Sequence, residues 1–167
     1  GKSLLPVFAG RQFHKEFVYG IMTTRGINDG SPHYGIRSIR SENYKLIWNL
    51  TPEIKFVNRC STAPEFRSWL ALAATGHADA IAKTSRYQKR PEFELYDIQK
   101  DPLEMKNLAG KPALTKIQSN LHQGLQVWMK SCNDLGKATE MAALEHMTRN
   151  QKKKKNSSKN PSNHKKR

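Results

Sequence analysis

Cysteine is scarce: 167 residues contain only two, Cys60 and Cys132. They form no Cys-x-x-Cys pair and no histidine stands at zinc-finger spacing from them, so a disulfide framework and a small zinc module are both excluded. Two distant thiols could still pair in an oxidising compartment, or stay free and buried. Long apolar runs are absent too. Nothing approaches the roughly 18 consecutive apolar residues of a membrane helix, so no membrane partner is expected. The chain opens Gly1-Lys2-Ser3-Leu4-Leu5-Pro6, with neither an initiator methionine nor the apolar core of a secretory leader, and reads as a fragment.

Acidic residues are also under-represented, with 14 Asp and Glu against 29 Lys and Arg, a formal charge of +15. The excess is uneven. Residues 150–167 hold eight basic residues and no acid, so removing them leaves 21 against 14, or +7, over the first 149. That tail has no aliphatic or aromatic side chain and cannot bury apolar surface to offset chain entropy, which predicts disorder over 150–167. A basic tail can meet polyanions, but no aromatic residue interleaves with its lysines to stack on bases, and a nucleic-acid partner is not expected.

The remainder reads as α+β. Phe17 to Thr24 is rich in β-formers, and Arg25 to Pro32 is dense in Gly, Asn, Asp and Pro and must turn. Residues 34–40 and 44–50 form a hairpin around Ser41-Glu42-Asn43, with Ile36 and Ser38 on one face and Arg37 and Ile39 on the other. Pro64 to Thr75 predicts a helix with Phe66, Trp69, Leu70 and Ala73 on one stripe and Gly76 as its stop. A basic irregular stretch follows to Pro91, then a short strand over 94–97. The clearest helix spans 113–131, where Leu114, Ile117, Leu121, Leu125, Trp128 and Met129 recur at three- and four-residue intervals. A weaker helix is expected over 139–147, capped by Thr139. The sum is a small antiparallel sheet with a long amphipathic helix packed on one face. The domain reading is 1–135 for this unit, 136–149 for an extra helix and 150–167 for the tail.

Four segments, in order, resemble one family. Tyr34 to Leu50 (YGIRSIRSENYKLIWNL) is similar to the YPxRSVRxxxYKLIxNL hairpin of type I sulfatases. Glu94 to Ala109 (ELYDIQKDPLEMKNLA) resembles that family's ELYDLxxDPxExxNLA passage. Leu125 to Met129 (LQVWM) resembles its closing LxxWM helix, and Gly1 to Pro6 its DGxSLLPLL linker. Within the superfamily the resemblance points to heparan N-sulfatase and its bacterial relatives, over residues 1–135. It implies hydrolysis of sulfate esters or sulfamates on sulfated sugars or glycosaminoglycans. It also implies a formylglycine nucleophile made from Cys or Ser in C/S-x-P-S-R, a bound Ca²⁺, and export from the cytoplasm.

None of that catalytic set maps onto this sequence. Cys60-Ser61-Thr62-Ala63-Pro64 has Thr62 where the motif needs Pro and Pro64 where it needs Arg, so no catalytic or metal residue is assigned. The resemblance implies that those groups lie in an N-terminal catalytic domain, the chain's expected partner together with a sulfated carbohydrate. The substrate contacts the resemblance implies are Thr24 and Arg25, in the segment where the family's C-terminal subdomain faces the cleft, with His33 beside them as a further candidate; an arginine there can bind a carboxylate or sulfate. Arg37 and Arg40 are expected to pair with acids, and the 94–109 passage to be structural, with Leu95, Tyr96 and Leu108 as anchors and Glu104 supporting a short helical turn. Asn49-Leu50-Thr51 is a glycosylation sequon inside an expected strand and carries little weight. The alternative reading is a non-catalytic module that binds a polyanion, sulfated glycan or nucleic acid.

Overall fold

A computed structural model describes residues 3–10, 15–24, 30–31 and 33–146. Arg25 and the basic tail therefore lie outside the described residues.

A single turn of helix, α1 (Leu5–Phe8), precedes four strands: β1 (Val18–Thr23), β2 (Gly35–Arg40), β3 (Tyr44–Asn49) and β4 (Phe93–Asp97). They pair antiparallel in the order β1-β2-β3-β4. The β2–β3 hairpin closes where the turn chemistry placed it. The Ser41 N–H donates to the Tyr44 carbonyl at 2.8 Å, and the Tyr44 N–H donates back to the Ser41 hydroxyl at 3.1 Å.

Period-two alternation sends side chains to two faces, and both are covered. On one face Ile39, Leu46 and Leu95 meet Leu121, Leu125 and Met129 of the long helix α4 (Thr115–Ser131). Three apolar residues spaced by four lie on one helical stripe, so the sequence alone dictates which side of α4 is buried. Close approach needs Gly124, where an added Cβ would sit 3.2 Å from the Ile39 Cδ1 atom. The C-terminal end of α4 also holds the edge strand, because Trp128 stacks on Tyr19 with centroids 4.6 Å apart.

The opposite face carries Tyr34, Ile36, Ile47, Tyr96 and Ile98 against Phe56, with Tyr87 packed alongside. Its cover was not foreseen: the stretch read as irregular contains α3 (Ala78–Gln88), paired with α2 (Pro64–Ala74). Residues buried on α3 are Ala80, Thr84 and Gln88, correctly spaced for a helix but too small or polar to register as an apolar stripe. His77 caps it through an acceptor nitrogen facing the Ala80 N–H, and Asp79 pairs with Lys83 one turn on.

Three further differences have local causes. The predicted 139–147 helix is a short α5 (Lys137–Met141) followed by a 3₁₀ turn over Ala143–His146, and Thr139 lies inside α5. Its hydroxyl instead accepts from the Leu135 N–H, 2.7 Å away, in the approach to the helix. Glu104 does not start a helical turn; it takes a left-handed φ of 54° and meets Lys45 at 2.8 Å. Cys60 and Cys132 are both free, and exposed rather than buried.

The 94–109 passage is structural, as its turn residues indicated. Asp97 and Asp101 accept backbone N–H groups of the connector, and Asn107 accepts from Leu95 and Ala109 at 2.9 Å each. Leu95 and Tyr96 are buried in the sheet, and the Leu108 N–H donates to the Leu95 carbonyl at 2.8 Å.

Candidate functional site at the connection between β1 and β2

The connection from Thr24 to Tyr34 carries all three candidate substrate residues, and its base is knitted by short polar side chains. Thr24 is buried at 1 % exposure. Its N–H donates to the Tyr34 carbonyl at 3.0 Å, its hydroxyl donates to the Ser31 carbonyl at 2.6 Å, and the same oxygen accepts from the Tyr34 N–H at 3.0 Å. Threonine suits this place because one hydroxyl can donate and accept at once. Thr24 thus faces inward and closes the base of the connection.

Ser31 ties that base to the segment crossing beneath. Its N–H donates to the Val57 carbonyl at 2.9 Å, and its hydroxyl donates to the Lys55 carbonyl at 2.6 Å and accepts from the Val57 N–H at 2.7 Å. The backbone of His33 is fixed by the Thr51 hydroxyl, which donates to the His33 carbonyl at 2.7 Å, while the His33 side chain is half-buried. Tyr34 is fully buried against Phe56, with centroids 5.0 Å apart, and burial pushes its hydroxyl up to about 12, with the nearby Arg90 charge acting in the opposite sense.

Beside this base lies a buried ionic group. Arg37 projects from the α4 face of β2, its side chain 3 % exposed, and its Nε donates to Asp134 Oδ2 at 2.5 Å. A second guanidinium nitrogen donates to Asp134 Oδ1 at 3.3 Å and stands 3.7 Å from Glu140 Oε2, while the third donates to the Ile36 carbonyl at 3.1 Å. The planar fork of arginine meets a carboxylate through two nitrogens, which a lysine cannot reproduce. Burial drives the Asp134 carboxyl up, but bonds from Arg37, the Gly136 N–H and the Thr139 hydroxyl, with the Arg37 charge, hold it below the usual carboxylate range. Glu140, 2 % exposed, also accepts from the Thr23 hydroxyl.

The expected pairing of Arg37 with acids is therefore met by Asp134 and Glu140, whereas Arg40 is exposed at the end of β2. Sequence reasoning missed those two acids. One signal was present: Asn133-Asp134-Leu135-Gly136 is turn chemistry directly after a helix, and Asn133 and Gly136 adopt φ of 55° and 64°. Asn49, the residue of the sequon, is fully buried and donates to the Pro91 carbonyl and to Glu94 at 2.7 and 2.8 Å. Among the described residues, no group of three or more His, Cys, Asp or Glu could hold a metal ion. The calcium implied by the resemblance thus finds no fitting donor set in them. No helix of the described residues is long and apolar enough to cross a membrane.

A small antiparallel sheet backed by a long helix, with a turn-rich ELYD passage leaving its last strand, agrees with the resemblance to the C-terminal region of sulfatases. Residues 79–131 match the family "N-sulphoglucosamine sulphohydrolase, C-terminal". The chain is 31 % identical over 137 residues to an ulvan-active sulfatase of Formosa agariphila, an alignment covering 81 % of this chain and 25 % of that protein. It is 27 % identical over 137 residues to human N-sulphoglucosamine sulphohydrolase, covering 80 % of this chain and 26 % of the relative. It thus spans about a quarter of the length of these two curated relatives. The fold recurs in a crystal structure of a Bacteroides thetaiotaomicron protein classed with the sulfatases, with a TM-score of 0.50 at 21 % identity over 80 % of this chain and 20 % of that one.

Proposed function

We propose that this chain is the C-terminal part of a sulfuric ester or sulfamate hydrolase acting on sulfated sugars or glycosaminoglycans, whose formylglycine and Ca²⁺ centre sits in an N-terminal catalytic domain. One observation carries the reading: four-fifths of the chain aligns with sulfatases, yet it spans only a quarter of their length. Helix α2 supports it. That helix is largely apolar, but none of its residues is buried, and Trp69 and Leu72 are about half exposed. A catalytic domain docked on α2 would remove that surface from water.

In this reading the β1–β2 connection is the chain's contribution to the substrate pocket. Thr24 sets the base, His33 flanks it, and Arg25 supplies a guanidinium for a sulfate or carboxylate on the sugar. The chain alone would then be inactive.

The test is to produce the polypeptide together with the sequence encoded upstream and to measure sulfate release from N-sulfoglucosamine and from a sulfated polysaccharide. The extended polypeptide is expected to release sulfate and the 167-residue chain to release none. Arg25→Ala in the extended form should raise KM by about tenfold or more, the loss of one charge-assisted hydrogen bond. An upstream sequence without C/S-x-P-S-R, or sulfate release by the 167-residue chain itself, overturns the proposal.

A further inference from the structure

We infer that Glu140, carried by α5, is a positioning residue that pins the base of the β1–β2 connection, and that the segment after α4 acts as a strap across it. That the connection meets substrate rests on the preceding reading; the pinning does not.

The geometry joins both sides of the connection to one carboxylate. Thr23, the last residue of β1, donates its hydroxyl to Glu140. Gly35, the first residue of β2 and the partner of Thr23 across the ladder, lies directly against the same side chain. A Cβ added at Gly35 would stand 2.8 Å from Glu140 Oε2 and 2.9 Å from its Cδ and Cγ atoms. Glu140 therefore occupies the volume a side chain at position 35 would fill. Beneath it, Arg37 bridges Glu140 to Asp134, and the Gly136 N–H donates to Asp134 at 2.9 Å, so the whole turn from 134 to 140 is referenced to β2. One residue beyond Thr23 and one before Gly35 lie Thr24 and Tyr34, whose mutual hydrogen bonds close the connection. A carboxylate wedged at this point fixes the separation and twist of the two strand ends from which the connection emerges. Cores and polar contacts this tight have few alternative arrangements, so the paired ends of the connection, Thr24 and Tyr34, inherit the strap's rigidity.

The test uses the full 167-residue chain and amide hydrogen exchange. Glu140→Ala should speed exchange of the Thr24 and Tyr34 amides by about tenfold or more relative to the change at the Leu95 and Leu108 amides, since it removes the hydrogen bond from Thr23 to a charged acceptor and the ion pair with Arg37. Glu140→Gln, which keeps an acceptor for Thr23 but loses the charge facing Arg37, should show a smaller change of the same pattern. Gly35→Ala should reproduce the pattern in the native background and add nothing in the Glu140→Ala background, where the vacated volume accepts the methyl group. If Glu140→Ala does not fold, the Glu140→Gln and Gly35→Ala variants report the same ratio. Equal acceleration at all four amides, no acceleration at Thr24 and Tyr34, or additive effects of Gly35→Ala and Glu140→Ala would each overturn the assignment. None of these readouts needs sulfatase activity, so a failure here is separable from a failure of the functional proposal.

Discussion

Replacing Arg37 with leucine should be the most damaging polar substitution in the described structure, and its pH dependence should reverse that of the native chain. Arg37, Asp134 and Glu140 have side chains that are 3 %, 6 % and 2 % exposed, so water screens none of them. Removing the cation leaves two buried carboxylates without their counter-charge, a change that costs about 3–5 kcal/mol. The exposed Lys137–Glu53 pair, with side chains 58 % and 57 % exposed at 2.7 Å, provides the contrast: water screens both charges, and breaking it should leave the urea midpoint nearly unmoved. Urea unfolding followed by tryptophan fluorescence resolves the two, because about 4 kcal/mol at a slope near 2 kcal/mol/M moves the midpoint by about 2 M. The pH series adds an independent sign. In the native chain Asp134 is held below its ordinary value, so its contribution is present above the unfolded pKa of about 3.9 and is lost as pH falls through the folded value. Without Arg37, burial dominates and the carboxyl rises above its unfolded value, so the folded state binds the proton more tightly and the variant regains stability as pH falls from 7 toward 4. A loss no larger than that of Lys137→Ala, or native and variant curves that run parallel in pH, would refute the reasoning.

Two further outcomes follow from single side chains. His122 is wedged between Trp48 and Phe93, each 4.9 Å away by centroid, and desolvation lowers its pKa. The unfolded chain therefore takes up the proton first, so stability should decline as pH falls below about 6.5, and His122→Phe should abolish that slope in thermal melts at pH 7.5 and 5.5. Leu125 is fully buried at the centre of the α4 interface, so Leu125→Ala should cost about 2–5 kcal/mol in urea unfolding; a cost below about 1 kcal/mol would mean that α4 does not pack as described.

Much of this architecture was written locally. The β2–β3 hairpin alternates in period two around a Ser-Glu-Asn turn, and α4 repeats leucines at helical spacing, so neighbouring residues specify both elements and the faces they bury. The ELYD passage was legible for the same reason: Asp97, Asp101 and Asn107 satisfy backbone groups within a few residues to a dozen of themselves. Helix α3 was not legible, because its buried positions are Ala80, Thr84 and Gln88 and its stability comes from a cap, an ion pair and contact with α2.

The site divides along the same line. Composition and motif order determined that a turn-rich stretch, Arg25 to Pro32, follows the first strand, and that the chain resembles a sulfatase C-terminal region. The tertiary structure alone decided what holds the two strand ends flanking that stretch in place. Arg37 meets Asp134 across 97 positions, and Thr23 meets Glu140 across 117. In the sequence Glu140 is one acid among 14, because whether a carboxylate is solvated or buried depends on what packs over it. Only the fold removes water from Arg37, Asp134 and Glu140 together, and that desolvation turns ordinary surface residue types into the clamp at the base of the connection.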